Sequence, residues 1–195
     1  EMNIRDWSSD VCSSDLTFPV RVMKALGADK LIIMNAVGSV NPLIRRGSLV
    51  LISDHINMMG DNPLIGPNDD RLGPRFPDMS EPYNFEMMDL AERIALEKGI
   101  KLHRGVVCAV TGPNLETRAE YRAIHRIGGD MVSMSTIPEN IVAVHAGMKV
   151  MGLSTVTDEC YPESLQPVEL SEIIEVSNSL EPARETIVEG VIAAL

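Results

Sequence analysis

Apolar positions along this chain switch between two spacings, and the switches mark its elements. From Phe18 to Leu26 they recur at helical spacing, and Gly27 is a natural stop. Lys30–Met34 is a short apolar run that predicts a buried strand, ending in a tight turn at Asn35-Ala36-Val37-Gly38. A second β-rich run covers Ser48–Ser53. Asn57–Ser80 is crowded with Gly, Pro, Asn and Asp, so it predicts a long ordered or functional loop. Helical spacing returns over Asn84–Lys98, just before Gly99. His103–Val110 predicts a strand feeding Thr111-Gly112-Pro113, and Glu116–Ile127 a helix ended by Gly128-Gly129. Met131–Met134 is a short strand, Pro138–Ala146 a helix with its proline near the start, and Lys149–Val156 a further strand. From Val168 onward the chain is mostly helical.

Strands alternating with helices predict an α/β fold with a largely parallel or mixed sheet, and no linker or internal repeat divides it. In open sheets of this kind, ligands sit beyond the carboxyl ends of the strands. Four such ends carry polar or glycine-rich chemistry: Asn35–Gly38, Gly112–Thr117, Met134-Ser135-Thr136 and Thr157-Asp158-Glu159. Their convergence would make one pocket.

Composition narrows the classes. With 195 residues, 45% hydrophobic and 23% charged, the chain is large enough for one domain with a real core. Its net charge of −11 leaves no basic footprint for a general nucleic-acid binder. No apolar run approaches the roughly 20 residues of a membrane span, and no signal peptide is visible, so neither nucleic acid nor membrane is an expected partner. Cys12, Cys108 and Cys160 are odd in number and far apart, which argues against both a disulfide framework and a zinc motif. A reducing, cytoplasmic location fits, with Cys108 expected to be buried as a small hydrophobe.

Residues 1–16 read unlike the remainder of the chain. Ser-Ser-Asp occurs at 8–10 and again at 13–15, and no sustained periodicity defines a helix or strand. The stretch resembles translated adapter sequence. It reads as a non-native or disordered segment, the alternative being a flexible native arm. Leaving it out removes Glu1, Asp6, Asp10, Asp15 and Arg5, and the remainder still carries −8.

Each strand end has a plain reading beside a chemical one. In Asn35–Gly38 a small residue followed by Gly lets backbone N–H groups approach an oxyanion, but a bare tight turn has the same pattern. Glu116 stands where a helix begins, where an anionic carboxylate is stabilised and can accept from the N–H groups of a base. A plain helix start accounts for it equally well. The hydroxyls of Ser135 and Thr136 suit phosphate oxygens, or one of them caps the following helix. Asp158 reads as a turn acid. His55, His103, His125 and His145 are scattered, with no metal-ligand spacing among them.

Taken in order, these segments resemble the trimeric purine nucleoside phosphorylases. The matching strings are Thr17–Arg21 (Thr-Phe-Pro-Val-Arg), Asn35–Gly38, Asp54–Asn57, Asn62–Asp69, Arg75–Ser80, Gly112-Pro113, Glu116-Thr117, Met134-Ser135-Thr136 and Pro138-Glu139, over Thr17 to about Asp158. The resemblance implies a nucleoside phosphorylase fold with a mixed central sheet flanked by helices, and a homotrimer. It implies phosphate-dependent cleavage of purine nucleosides to free base and pentose 1-phosphate, as in purine salvage, with no metal or organic cofactor. Glu116 would hold the purine and Asp158 would contact it near N7. Leu115 and Val132 would line the base site, Met134 would pack on the ribose, and Thr157 would also contact the substrate. The Ala36 N–H and the Ser135 hydroxyl would hold phosphate, and Phe76 would reach a neighbouring subunit's site.

Two departures from the family pattern bear on function. Asp158 stands where the branch specific for inosine and guanosine commonly has Asn. A protonated Asp can donate to N7, and an ionised one can accept from a 6-amino group. Methylthioadenosine phosphorylase therefore remains an alternative, although Asn114–Thr117 and Arg75–Pro77 resemble the first family more. No His stands between Pro167 and Ile174 to contact the ribose 5′ end. The resemblance also implies a Gly-rich Ser loop and an Arg-x-His segment upstream of Thr17, neither of which is present. On that ground the chain is expected to be an N-terminally truncated member, with residues 17–195 the C-terminal part of one domain. Weak phosphate binding and slow turnover are then expected, and an inactive subunit is the further alternative.

Overall fold

The computed structural model describes residues 13–195. Five strands form the centre: β1 (Lys30–Ser39), β2 (Leu49–Asn57), β3 (Leu102–Ala109), β4 (Met131–Ser133) and β5 (Lys149–Glu159). Six helices are distributed among them: α1 (Ser13–Ala25), α2 (Phe85–Glu97), α3 (Arg118–Arg126), α4 (Ile137–His145), α5 (Leu170–Ser179) and α6 (Glu181–Ala194). The sheet is mixed, as the alternation predicts. It is closed rather than open, in the order β1-β4-β3-β2-β5. Parallel pairs join β1 to β5, β2 to β3 and β3 to β4, while β2–β5 and β1–β4 are antiparallel.

Several boundaries differ from the sequence expectation, each for a local reason. The first helix begins at Ser13, so the non-helical reading of 1–16 fails for residues 13–16, while residues 1–12 of that segment lie outside the described residues. Asn35–Gly38 is not a turn, because β1 keeps hydrogen-bonding β5 from Lys30↔Lys149 to Ser39↔Glu159. Thr157-Asp158-Glu159 is strand for the same reason, and Asp158 is no turn acid. Interstrand pairing outweighs the weak turn propensity of small polar residues. The mostly helical C-terminus consists of two helices, meeting at Leu180 with Pro182 in the first turn of α6. Gly27, Gly99, Gly128 and Gly147 follow helix ends with positive φ, the conformation that favours glycine.

The core is the apolar interior of the closed sheet together with the helix faces that cover it. Leu49, Val50, Leu51 and Ile52 of β2 and Val150, Met151 and Leu153 of β5 are essentially fully buried. From α2, Met87, Met88, Ala91 and Ala95 close one side, packed near α6, where Gly190 leaves room for Ile94. Burial of each such methionine is worth about 1.5–3 kcal/mol. A second cluster joins Val40, Cys108, Tyr121, Ile124, Val132 and Cys160. It anchors α3 beside the mouth of the sheet.

Candidate functional site

β1 and β4 hydrogen-bond at only two registers, Gly38↔Val132 and Ser39↔Met131. Past this seam β1 and β4 frame a cavity of about 450 Å³. Its walls come from Met34–Gly38 of β1, Val132–Ser135 at the end of β4, Thr157 and Asp158 of β5, Leu115 and Glu116 before α3, Tyr121 of α3 and Ile173 of α5. Among these are eight residues singled out in the sequence: Ala36, Leu115, Glu116, Val132, Met134, Ser135, Thr157 and Asp158. Phe76 is not brought to them. It is 86% exposed and lines a separate cavity with His55, Asn57, Arg75 and Pro77.

A bulge decides where Asp158 sits. Val37 pairs with Val156, but the next pair is Gly38 with Asp158, so Thr157 is an extra residue on β5. Such an insertion re-aims the side chain that comes after it. Thr157 Oγ1 then donates to Asp158 Oδ1 at 2.8 Å, and Cys160 Sγ donates to Oδ2 at 2.9 Å. Gly38 makes the arrangement fit. A Cβ there would lie 2.5 Å from Cys160 Sγ and 2.9 Å from Asp158 Oδ2. Glu159 points elsewhere, held at 2.7 Å by Arg45 Nε.

Glu116 precedes its helix rather than occupying the first turn. Thr117 takes the N-cap: its hydroxyl accepts from Glu120 N, and Glu120 accepts from Thr117 N at 2.7 Å. This reciprocal box is a strong helix start, and it leaves the half-buried Glu116 in the lead-in to α3, at the cavity wall. Tyr121 is buried one turn into α3, and its hydroxyl comes within hydrogen-bonding reach of both Cys160 and Glu116. Burial is the main cause that holds the Tyr121 hydroxyl and the Cys160 thiol far above their usual ranges, so both keep their protons. Cys108 behaves as expected, a buried thiol pushed up to about 11 by burial and then by the Glu116 charge.

Across the cavity the hydroxyls form their own network. Asn35 Nδ2 donates to Ser133 Oγ at 3.1 Å, and Asn35 Oδ1 accepts from Ser154 Oγ at 2.7 Å. The backbone N–H of Ser135 donates to Ser133 Oγ, which also lies 3.4 Å from Ser135 Oγ. Thr136 occupies the N-cap of α4 with φ 79°, but its side chain makes no cap hydrogen bond, which corrects the capping reading of these hydroxyls. A positive φ at a non-glycine residue is strain of the kind that gathers at functional sites. Gly112, also at positive φ, lets the Met134 thioether rest against its backbone.

Sequence reasoning gave no role to Asn35, Ser133, Tyr121 or Ile173. Ser133 had a signal, a second hydroxyl two residues before Ser135 on a strand end. Tyr121 had none beyond its place on the apolar face of α3. Two of the histidines make side-chain hydrogen bonds outside this cavity: His55 pairs with Tyr83, and His145 lies between Arg21 and Asn68. Among the described residues, no group of three or more His, Cys, Asp or Glu could hold a metal ion. No helix there is long and apolar enough to cross a membrane.

Residues 11–193 match the Phosphorylase superfamily. This chain belongs to that family. It is 48% identical to purine nucleoside phosphorylase 1 of Bacillus subtilis (strain 168), over 91% of this chain and 66% of that protein. It is 52% identical to purine nucleoside phosphorylase 1 of Geobacillus stearothermophilus, over 85% of this chain and 60% of that one. The chain thus spans less than two thirds of the length of either relative. A crystal structure of Schistosoma mansoni purine nucleoside phosphorylase in complex with inosine superposes with TM-score 0.91 at 33% identity, covering 96% of this chain and 69% of that one. The same schistosome enzyme in complex with adenosine gives TM-score 0.90. The fold is therefore the nucleoside phosphorylase fold of those enzymes.

Proposed function

We propose that this superfamily member is a purine nucleoside phosphorylase, an enzyme that uses phosphate to cleave the N-glycosidic bond and release free base and pentose 1-phosphate. The observation that carries the reading is that Glu116 and Asp158 line the same cavity as the exposed Ala36 and the Ser135 hydroxyl. Leu115, Val132 and Thr157 form the base wall in this reading, and Met134 covers the ribose.

The chemistry is set by where charge develops. Breaking the glycosidic bond places positive charge on the sugar and negative charge on the departing base. Phosphate held at Ala36 and Ser135 stabilises the sugar cation and attacks its anomeric carbon. Hydrogen bonds anchoring the base at Glu116 and Asp158 orient it for departure. A phosphate fixed beside the sugar stabilises its positive charge better than mobile water does, and holding both reactants together removes much of the entropic barrier. Phosphate is the co-substrate, and no cofactor enters.

Asp158 with a donor on each oxygen favours bases that bring their own N–H, which adenine does through its 6-amino group. Phosphorolysis of inosine, guanosine, adenosine and methylthioadenosine, assayed side by side, tests the reading. Release of free base and pentose 1-phosphate from at least one purine nucleoside is expected, and phosphate-independent or absent release contradicts it. The exposed Phe76, in its separate cavity with Ile65, supports a homotrimer in which it reaches a neighbouring site. Light scattering of the same sample at single-chain mass would count against that assembly. A cytoplasmic location completes the proposal, and fractionation of the source cells checks it.

A further inference from the structure

Cys160 invites the plain reading of a small buried hydrophobe. Its surroundings say otherwise. The sulfur lies 2.9 Å from Asp158 Oδ2, in space that any side chain at position 38 would invade. On its other side the Tyr121 hydroxyl comes within hydrogen-bonding reach, and that hydroxyl also reaches Glu116. A buried thiol between a carboxylate and a phenol has one consistent arrangement: it donates to the carboxylate and accepts from the phenol. Burial supports this by keeping both protons in place. The second oxygen of Asp158 is held by the Thr157 hydroxyl at 2.8 Å.

We propose that Cys160 is a positioning residue for Asp158, fixing it with Thr157 as a hydrogen-bond acceptor aimed at the purine. The inference rests on the purine reading given above. It adds a cause for base selection. A carboxylate whose oxygens both accept from the protein has lone pairs left for the ligand but no proton to give. It therefore selects a base edge that supplies an N–H. Without the Cys160 donor, Asp158 is free to rotate, and its preference for such an edge weakens.

Two measurements test this. In Raman spectra of the ligand-free chain, the Cys160 S–H stretch is identified by its loss in Cys160→Ala. Asp158→Ala is expected to move that band to higher frequency, because a donated hydrogen bond weakens the S–H bond. An unmoved band overturns the proposal, whatever the activity of the chain. In kinetics, Cys160→Ala is expected to lower kcat/KM for adenosine relative to inosine by about fivefold, the usual scale for one hydrogen bond. Cys160→Ser keeps a donor at the same place and is expected to recover most of that ratio. Equal effects on both nucleosides, or equal loss in the alanine and serine variants, also overturn it. Should the unsubstituted chain turn over no nucleoside, the function reading fails, and the Raman shift alone decides whether Cys160 holds Asp158.

Discussion

Gly38 shows how one absent side chain sets the chemistry of two others. A methyl group there would press on Cys160 Sγ, Asp158 Oδ2 and, at 3.3 Å, Val132 Cγ1. Gly38 is a buried strand residue with no positive φ, so the demand is for space and not for backbone freedom. Overpacking of this kind costs about 1–3 kcal/mol. Gly38→Ala is therefore expected to lower stability by that amount in urea titrations and to weaken purine binding more than phosphate binding. A variant as stable as the parent, with unchanged base affinity, would contradict the packing argument. The motif containing Gly38 was visible in the sequence, but with another meaning. Gly after a small residue suggested a phosphate turn, whereas the glycine clears room for a carboxylate brought from far along the chain by β5 pairing.

At the scale of elements, the lead-in to α3 controls Glu116. The capping box of Thr117 and Glu120 fixes where the helix starts and hence where the preceding carboxylate stands. Loss of a cap side chain costs about 1 kcal/mol. Thr117→Ala is expected to lower unfolding free energy by that amount. It should raise KM for the nucleoside with a smaller change in kcat, because Glu116 loses its fixed approach. Steady-state kinetics beside denaturant melts separate the two effects, and an unchanged KM would show that the cap does not govern Glu116. Helices and strands were largely legible because apolar spacing and helix-ending glycines are local signals. The ends of β1 and β5 were not, since a polar strand residue such as Asn35 is stabilised by a partner distant in sequence.

For the molecule as a whole, the buried His145 and the half-buried His55 and His103 set the expected stability at low pH. His145 joins α1, α4 and the loop at Asn68, and burial, followed by the Arg21 charge, lowers its affinity for a proton. Burial lowers His55 as well, against the opposing charge of Asp54, and lowers His103 with help from Lys101. A histidine depressed on folding contributes stability that is present above its unfolded value of about 6.5 and is lost as pH falls through the folded value. The half-buried Glu139 is shifted upward by burial, so its contribution has the opposite sign and is lost on going to higher pH. The melting temperature is expected to fall from pH 7 to pH 5.5, across the range where the unfolded histidines take up protons. A flat or rising melting temperature over that interval would mean that these histidines do not oppose protonation in the fold.

Local spacing and composition were enough for the α/β class, most elements and, through the ordered motifs, the family resemblance. Those are properties of neighbouring residues, which a linear reading can see. Closure of the sheet, the bulge that turns Asp158 toward the cavity, and the thiol beneath it belong to the tertiary structure. Each depends on contacts between strands and helices distant in sequence, where small changes of register redirect a side chain entirely. The two carboxylates were recognisable one at a time. Only the fold made them a pair, with Tyr121 and Cys160 between them.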